Sequence, residues 1–302
     1  MRPDDWHLTE DVHDFHARAG EFLRSRPALH TTPLTTIERL RTRGADAFGG
    51  PAPVLGCLER SGKVHATFSL IRGLSLTHLT PEQADTLAAH LAALGQSLPF
   101  VSADHGTATA FAEAWQRRTG ATPTLRDRIR LYRLGTLTPP TPVPDGRGRF
   151  VGEQDREQLM LFLREFTTDV REAVTIDAAS WAGTRFADKH FTFWETPDGT
   201  PVSMAGATSM VGGMVRVDPV YTPAHLRGRG YAGAVTAEVS QAALTAGATD
   251  VVLYADPANP TSNALYQRIG YRPIAECAVY DFASAEPEAS EGPGAGRPAP
   301  GP

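Results

Sequence analysis

The chain has 302 residues, 41% of them hydrophobic and 21% charged, with a net charge of −5. That is room for about two domains of ~150 residues, and the composition of a globular protein excludes disorder as its main state. The acidic balance excludes a general binder of phosphate backbones, so no nucleic-acid partner is expected.

No run of ~18 apolar residues exists, so no membrane partner is expected. Met1 to Trp6 lacks the apolar stretch of a leader. The two cysteines, Cys57 and Cys277, form no C-x-x-C pair and read as small core residues of a reducing compartment. The expectation is a cytoplasmic protein that holds no metal. Lys63 and Lys189 are the only lysines among 29 basic residues.

In chain order, helices fit 12–25 and 35–43, and strands fit 53–59, 64–71 and 74–78. A helix follows over 81–94, a strand over 98–102, a helix over 107–118 and a strand over 125–133. Thr80-Pro81-Glu82-Gln83 is a strong helix start, with Thr as N-cap, Pro at the first position and Gln at the third. Thr138 to Gly146 carries four prolines in nine residues and reads as a stiff linker over 138–145.

Beyond it, Glu153 to Asp169 has the helical spacing Leu159, Leu161, Phe162, Leu163, Phe166. Ile176-Asp177 opens a second expected helix with Trp181 and Phe186 on its buried side. Strands then fit 190–195, 202–207 and 214–222, with a turn at Pro197-Asp198-Gly199 between the first two. A Gly-rich loop leads into a helix over 231–246. A short apolar strand over 251–254, a helix over 259–268 closed by Gly270 and a strand over 274–282 complete the block. The tail 283–302 has no large apolar side chain and is expected to be disordered.

The two blocks, 1–137 and 146–282, repeat the same element order. At an offset of 150 residues Arg118, Gly120 and Pro123 fall on Arg268, Gly270 and Pro273. The chain therefore reads as an internal duplication.

Between Val220 and Ala232 an apolar strand runs through Arg227-Gly228-Arg229-Gly230 straight into a helix. Glycines let backbone N–H groups approach an anion, the helix N-terminus adds its dipole, and two arginines suit a pyrophosphate. The loop matches neither G-x-G-x-x-G nor G-x-x-x-x-G-K-[ST]. The equivalent loop of the first block, Thr77-His78-Leu79-Thr80-Pro81-Glu82-Gln83, has no glycine and puts Glu82 at the helix start. Eight of the ten histidines lie in that block, and none completes a ligand set.

Arg227-x-x-Gly230-x-Ala232 resembles the Q/R-x-x-G-x-G/A signature of the GNAT superfamily of N-acetyltransferases. Asn259 to Tyr271 is similar to its N-x-x-S/A-x-x-L-Y-x-x-x-G-F/Y segment. The resemblance covers about 146–282 with full motifs and makes the first block a degenerate copy. It implies tandem α/β domains, each a mixed, mostly antiparallel sheet flanked by helices. It further implies acetyl-coenzyme A as acyl donor and a small-molecule primary amine as acceptor, in a monomer or homodimer.

By the same resemblance, Val220, Tyr221 and Thr222 would bond the pantetheine arm. Gly228, Arg229, Gly230, Tyr231, Ala232 and Gly233 would wrap the pyrophosphate beside Arg227. Asn259, Ser262 and Asn263 would lie along the pantetheine, and Tyr266 would protonate the departing thiolate, a task suited to a group neutral at pH 7.

The positions where the family often carries a glutamate base hold Met214 and Tyr254. Asp218 is the nearest carboxylate and reads either as a base acting through a water or an amine-binding group, or as a salt-bridge partner of Arg216 or Arg227 or a solvated side chain; Glu195, His190 and Asp256 are weaker candidates. Direct attack by a neutral amine needs no strong base. The alternative reading is an acyl-coenzyme A-binding module without turnover.

Overall fold

The structure, a computed structural model, describes residues 6–49, 51–172, 174–177 and 179–283. The expected disordered tail, past Ala283, lies outside the described residues.

The first half comprises β1 (Trp6–Thr9), α1 (Val12–Ser25), α2 (Thr31–Arg43), β2 (Val54–Arg60), β3 (Lys63–Leu70) and β4 (Leu74–Leu76). It continues through α3 (Pro81–Ala93), β5 (Phe100–Asp104), α4 (His105–Thr119) and β6 (Thr122–Leu134). The second half comprises β7 (Arg147–Phe150), α5 (Arg156–Asp169), β8 (Lys189–Glu195), β9 (Pro201–Thr208) and β10 (Met214–Tyr221). It ends with α6 (Tyr231–Thr245), β11 (Asp250–Ala255), α7 (Pro260–Arg268) and β12 (Tyr271–Ala283).

All twelve strands form one sheet in the order β1-β2-β3-β4-β5-β12-β6-β11-β10-β9-β8-β7. Only β4–β5 and β10–β11 are parallel. The order is palindromic when the strands of the two halves are matched in turn, β1 with β7 through β6 with β12; the 150-residue offset itself holds from α3 onward, where β5 falls on β11 and β6 on β12. Each half gives its last strand to the other: β12 pairs with β5, and β6 pairs with β11. The exchanged strands pair antiparallel along their length, Tyr271 opposite Leu134 and Ala283 opposite Thr122. Gly120 and Gly270 end α4 and α7 at positive φ, +75° and +105°. A Cβ on Gly270 would meet the Thr136 carbonyl at 2.0 Å, so this tight exit into the exchanged strand needs glycine.

Helices cover both faces. α3 and α4 bury Leu87, Leu91, Phe111 and Trp115 on one side of the first half, and α6 buries Val235 and Val239 on the matching side of the second. On the opposite face, α5 covers Phe191, Phe193 and Met204. Beside it, α1 and α2 of the first half pack Phe15, Leu23 and Ile37 against Met214 and Val252 of the second. Among the described residues no helix is long and apolar enough to cross a membrane.

Two departures from the expected elements have physical causes. The outermost strands β1 and β7 are only four residues long, too short for an alternation to register. β7 is fixed instead by Arg149, which bonds Asp155 at 2.7 and 2.8 Å and Glu195 at 2.6 Å. The helix expected from Ile176 is replaced, among the described residues, by a loop with one 3-10 turn, Trp181–Gly183. Asp177 closes a local turn on Ser180 (2.7 Å), and carbonyls that a helix would use accept from the first half: Ala182 from Arg43 (2.5 Å), Thr184 from Arg39 (3.2 Å).

Candidate active site

β10 and β11 pair from Met214–Asp250 to Val217–Leu253 and no further, although β10 runs on to Tyr221 and β11 to Ala255. On its other side β10 shifts register against β9 between Val217–Ala207 and Val220–Ala205. This bulge bends the strand away from β11, and Pro219 offers no N–H. The bulged carbonyl of Asp218 has room because Gly206 faces it, where a Cβ would stand 2.8 Å away. The result is a wedge between two parallel strands, with Val220, Tyr221 and Thr222 along one side.

The wedge opens onto the Gly-rich loop. One 3-10 turn, Ala224–Leu226, precedes Gly228 and Gly230, both at positive φ (+77° and +86°). α6 then starts without a side-chain cap. Among the described residues the amides of Gly228, Arg229, Gly230, Tyr231, Ala232 and Gly233 donate to no protein acceptor, while Ala234 already donates to Gly230 (3.1 Å). Six consecutive free N–H groups at a helix start form a cradle for an anion.

Arg227 holds the loop's shape: its Nε donates to the Thr222 carbonyl (3.0 Å) and its guanidinium pairs with Asp169 of α5. Arg229 is exposed, reaching the His225 carbonyl at 3.4 Å. The linker runs alongside, so that a Cβ on Gly230 would sit 3.7 Å from Pro144 and one on Gly233 3.9 Å from Pro140.

Across the wedge, α7 is capped by Asn259, whose Oδ1 accepts from the Ser262 amide (3.1 Å). Asn263 is buried and spent on structure. Its Nδ2 donates to the Asp256 and Asn259 carbonyls (2.7 and 2.6 Å), and its Oδ1 accepts from Tyr132 of β6 (2.6 Å). Its side chain is therefore unavailable to a pantetheine arm, which corrects that expectation.

Tyr266 is buried between Tyr132 and Tyr271, ring centroids 6.4 and 6.2 Å away. Trp6 Nε1 is the only described, sealed side-chain polar atom lacking a partner. The Tyr266 hydroxyl, which also has no partner, therefore keeps access to the space before it. Burial pushes its pKa well above the usual tyrosine value, and the charge of Asp218 adds to the shift; the phenol stays protonated at any physiological pH.

Asp218 lies where the strands part, but it is not a free carboxylate. It accepts from Arg185 (2.6 Å) and from Lys189, which is buried. Burial alone would raise its pKa; Lys189, Arg185 and Arg216 outweigh that and hold it well below the carboxylate range. So low an acid cannot take a proton from an ammonium group, and Asp218 is corrected from candidate base to structural ion-pair partner.

Of the weaker candidates, Glu195 pairs with Arg149 and His190 lies beside Ser209 (3.4 Å), while Asp256 follows β11 at the wedge and accepts from the Ala258 amide (2.7 Å). Met214 and Tyr254, at the two glutamate positions, face α2; Thr31 donates to the Met214 sulfur (3.3 Å) and Thr32 bonds the Tyr254 hydroxyl (3.1 Å).

Two groups were not anticipated from sequence. Lys189 is drawn down to about 8 by burial, and its rarity as one of two lysines was the only available signal. Glu165 of α5 accepts from Tyr221 (3.0 Å) in a cleft of about 370 Å³ that also reaches Asp169 and His225. Burial, followed by Glu165, pushes Tyr221 up to about 12. Among the described residues no group of three or more His, Cys, Asp or Glu is arranged to hold a metal.

Comparison with known proteins locates this arrangement. A family model described as FR47-like protein matches residues 207–279, the stretch from β9 to β12 that includes wedge, loop and α7. No curated protein matches the chain. A GCN5-related N-acetyltransferase from Sphaerobacter thermophilus superposes with a TM-score of 0.56 at 17% identity, over 93% of this chain and 96% of that one. A tandem GNAT protein from the clavulanic acid biosynthesis pathway gives 0.54 at 13% identity, over 94% and 99%. An acetyltransferase of the GNAT family from Colwellia psychrerythraea gives 0.54 at 10%, over 92% and 99%. At these identities the likeness is one of fold, and it extends over both halves.

Proposed function

We propose that this chain, which shares the fold of GNAT acetyltransferases, is a member of that superfamily and transfers an acetyl group from acetyl-coenzyme A to a primary amine of a small molecule. The observation that carries the reading is the pair of open features side by side: a wedge between β10 and β11, and six unpaired amides at the start of α6. Residues 146–282 are the catalytic half in this reading, and 1–137 supports it. The cradle fits the pyrophosphate of a coenzyme A, and the wedge fits a pantetheine arm that bonds strand edges. Val220, Tyr221, Thr222, Asn259 and Ser262 border that arm.

The amine nitrogen attacks the thioester carbonyl carbon. The C–N bond forms, the C–S bond breaks, the thiolate takes the proton of Tyr266, the nitrogen loses a proton to water, and the Tyr266 oxygen regains a proton from water, which closes the balance. Backbone N–H groups freed by the bulge near Tyr221 are suited to the carbonyl oxygen as it gains charge. With Asp218 committed to Lys189 and Arg185, the amine must arrive neutral. The rate therefore rises with pH as the free-amine fraction grows, up to the acceptor's own pKa, without an acidic limb from an enzyme carboxylate.

The test is calorimetric titration with acetyl-coenzyme A together with thiol release in an amine screen. One site per chain is expected, with Tyr266→Phe lowering kcat about 100-fold while binding persists. The commitment of Asp218 to two cations favours one second reading, a coenzyme A-binding module without turnover; binding without thiol release for any amine would establish it.

A further inference from the structure

The face of β10 that looks toward α5 and α2 carries a polar seam between two apolar clusters. The α5 cluster ends at Phe186, Phe191 and Tyr221, and the α1–α2 cluster begins at Met214 and Val252. In the seam lie three cations, Arg185, Lys189 and Arg216, and two carboxylates, Glu172 and Asp218. Four of the five are matched to one another. Arg185 clamps Glu172 at 2.7 and 2.8 Å and reaches Asp218 at 2.6 Å, and Lys189 donates to Asp218.

Arg216 is left over. Among the described residues it has no ion pair and no side-chain hydrogen bond, only the face of Tyr254 at 6.0 Å from its guanidinium carbon. It is half-buried, close enough for its charge to bear on both Asp218 and Lys189. A guanidinium partly withdrawn from water and unmatched in an already balanced cluster is a site of excess positive charge. It is also a planar fork shaped for a carboxylate or phosphate.

The position is specific. Arg216 stands two residues, about 7 Å, before the point where β10 leaves β11, and Tyr266 lies across that gap. In the transferase reading, an acceptor whose amine meets the thioester in the wedge would extend along this seam past Tyr254, whose hydroxyl bonds Thr32 of α2.

Resting on the transferase reading, we infer that Arg216 receives an anionic group of the acceptor, so that the substrate class is small amines bearing a carboxylate or phosphate rather than neutral amines or polyamines. The seam decides the acceptor's charge because both of its carboxylates are already neutralised, which leaves nothing there to attract a second cation.

The test measures thiol release by the full chain with acetyl-coenzyme A and matched amines: 4-aminobutyrate and β-alanine, O-phosphoethanolamine, ethanolamine and 1,4-diaminobutane. The anionic amines are expected to exceed ethanolamine in kcat/KM by about tenfold or more. Whether the carboxylates or the phosphate lead identifies which anion the fork takes.

Arg216→Gln should raise KM for the preferred acceptor about tenfold or more, Arg216→Lys should recover most of that loss, and Arg216→Glu should shift preference toward the diamine. Preference of the unmodified chain for ethanolamine or the diamine, or an unchanged KM in Arg216→Gln, overturns the inference and leaves the transferase reading standing. Acetyl-coenzyme A binding with no amine turned over overturns that reading, and this inference falls with it.

Discussion

The loops that lead into α6 and α3 occupy equivalent places in the two halves and treat their backbone amides in opposite ways. In the second half, Gly228 to Gly233 leave six N–H groups without acceptors. In the first, the Thr77 amide donates to Thr67 (3.0 Å), Leu79 to the Thr107 hydroxyl (2.9 Å), and Thr80 and Gln83 exchange a capping box at 2.8 and 3.2 Å. Pro81 has no N–H at all. Leu79, which falls on Arg229, is buried in the core. Satisfying those donors internally stabilises the first half and removes any reason for a ligand to visit. The second half keeps its donors unsatisfied, which disfavours the empty loop and favours an anion.

The comparison can be broken most severely by separating the halves. A chain of 138–302 alone lacks β6, so β11 and β12 lose the strand between them and Tyr132 no longer backs Tyr266 or bonds Asn263. It is expected to aggregate or stay unfolded by circular dichroism and gel filtration, and co-expression with 1–137 should restore a soluble complex. A soluble, cooperative 138–302 would show that the halves do not depend on each other.

Next in size, Gly230→Glu puts a carboxylate and a strained φ in the cradle; acetyl-coenzyme A affinity should fall at least ~100-fold. Asp218→Asn leaves Lys189 buried without its counter-charge and should cost about 3 kcal/mol in urea unfolding. The smallest effect sharpens the contrast: Thr80→Ala removes the cap of α3, costing about 1 kcal/mol, and should leave acetyl-coenzyme A binding unchanged because no cradle exists there.

Much of this was legible in the residues. Periodicity located all seven α-helices among the described residues and ten of the twelve strands, and the Thr80 box and the Gly228–Gly230 loop could be read from residue type alone. What escaped depends on partners remote in sequence. Nothing local marks β6 for pairing with β11 rather than β5, since an exchanged strand has the same alternation as an unexchanged one. An ion pair of Asp218 with a nearby arginine was one of two readings open in the sequence, but its actual partners, Lys189 and Arg185, stand 29 and 33 residues away and nothing local marks them. The stretch after Ile176 has helical spacing, but Arg39 and Arg43 of the neighbouring α2 take its carbonyls.

The palindromic order of strands also has a consequence for synthesis. β6 is complete at Leu134, but its partner strands β11 and β12 begin at Asp250 and Tyr271. At roughly 5–20 residues per second, the ribosome needs about 6–23 s to add the 116 residues between Leu134 and Asp250. Throughout that interval the first half has a thirteen-residue strand with no second-half strand to join and a β5 edge without its neighbour. The nascent chain thus passes through a stage in which both edges invite wrong pairing, including with the same segment on an adjacent ribosome. Arg126, Arg128, Arg130 and Arg133 along β6 place like charges on any such pairing and so keep the waiting strand apart from its copies.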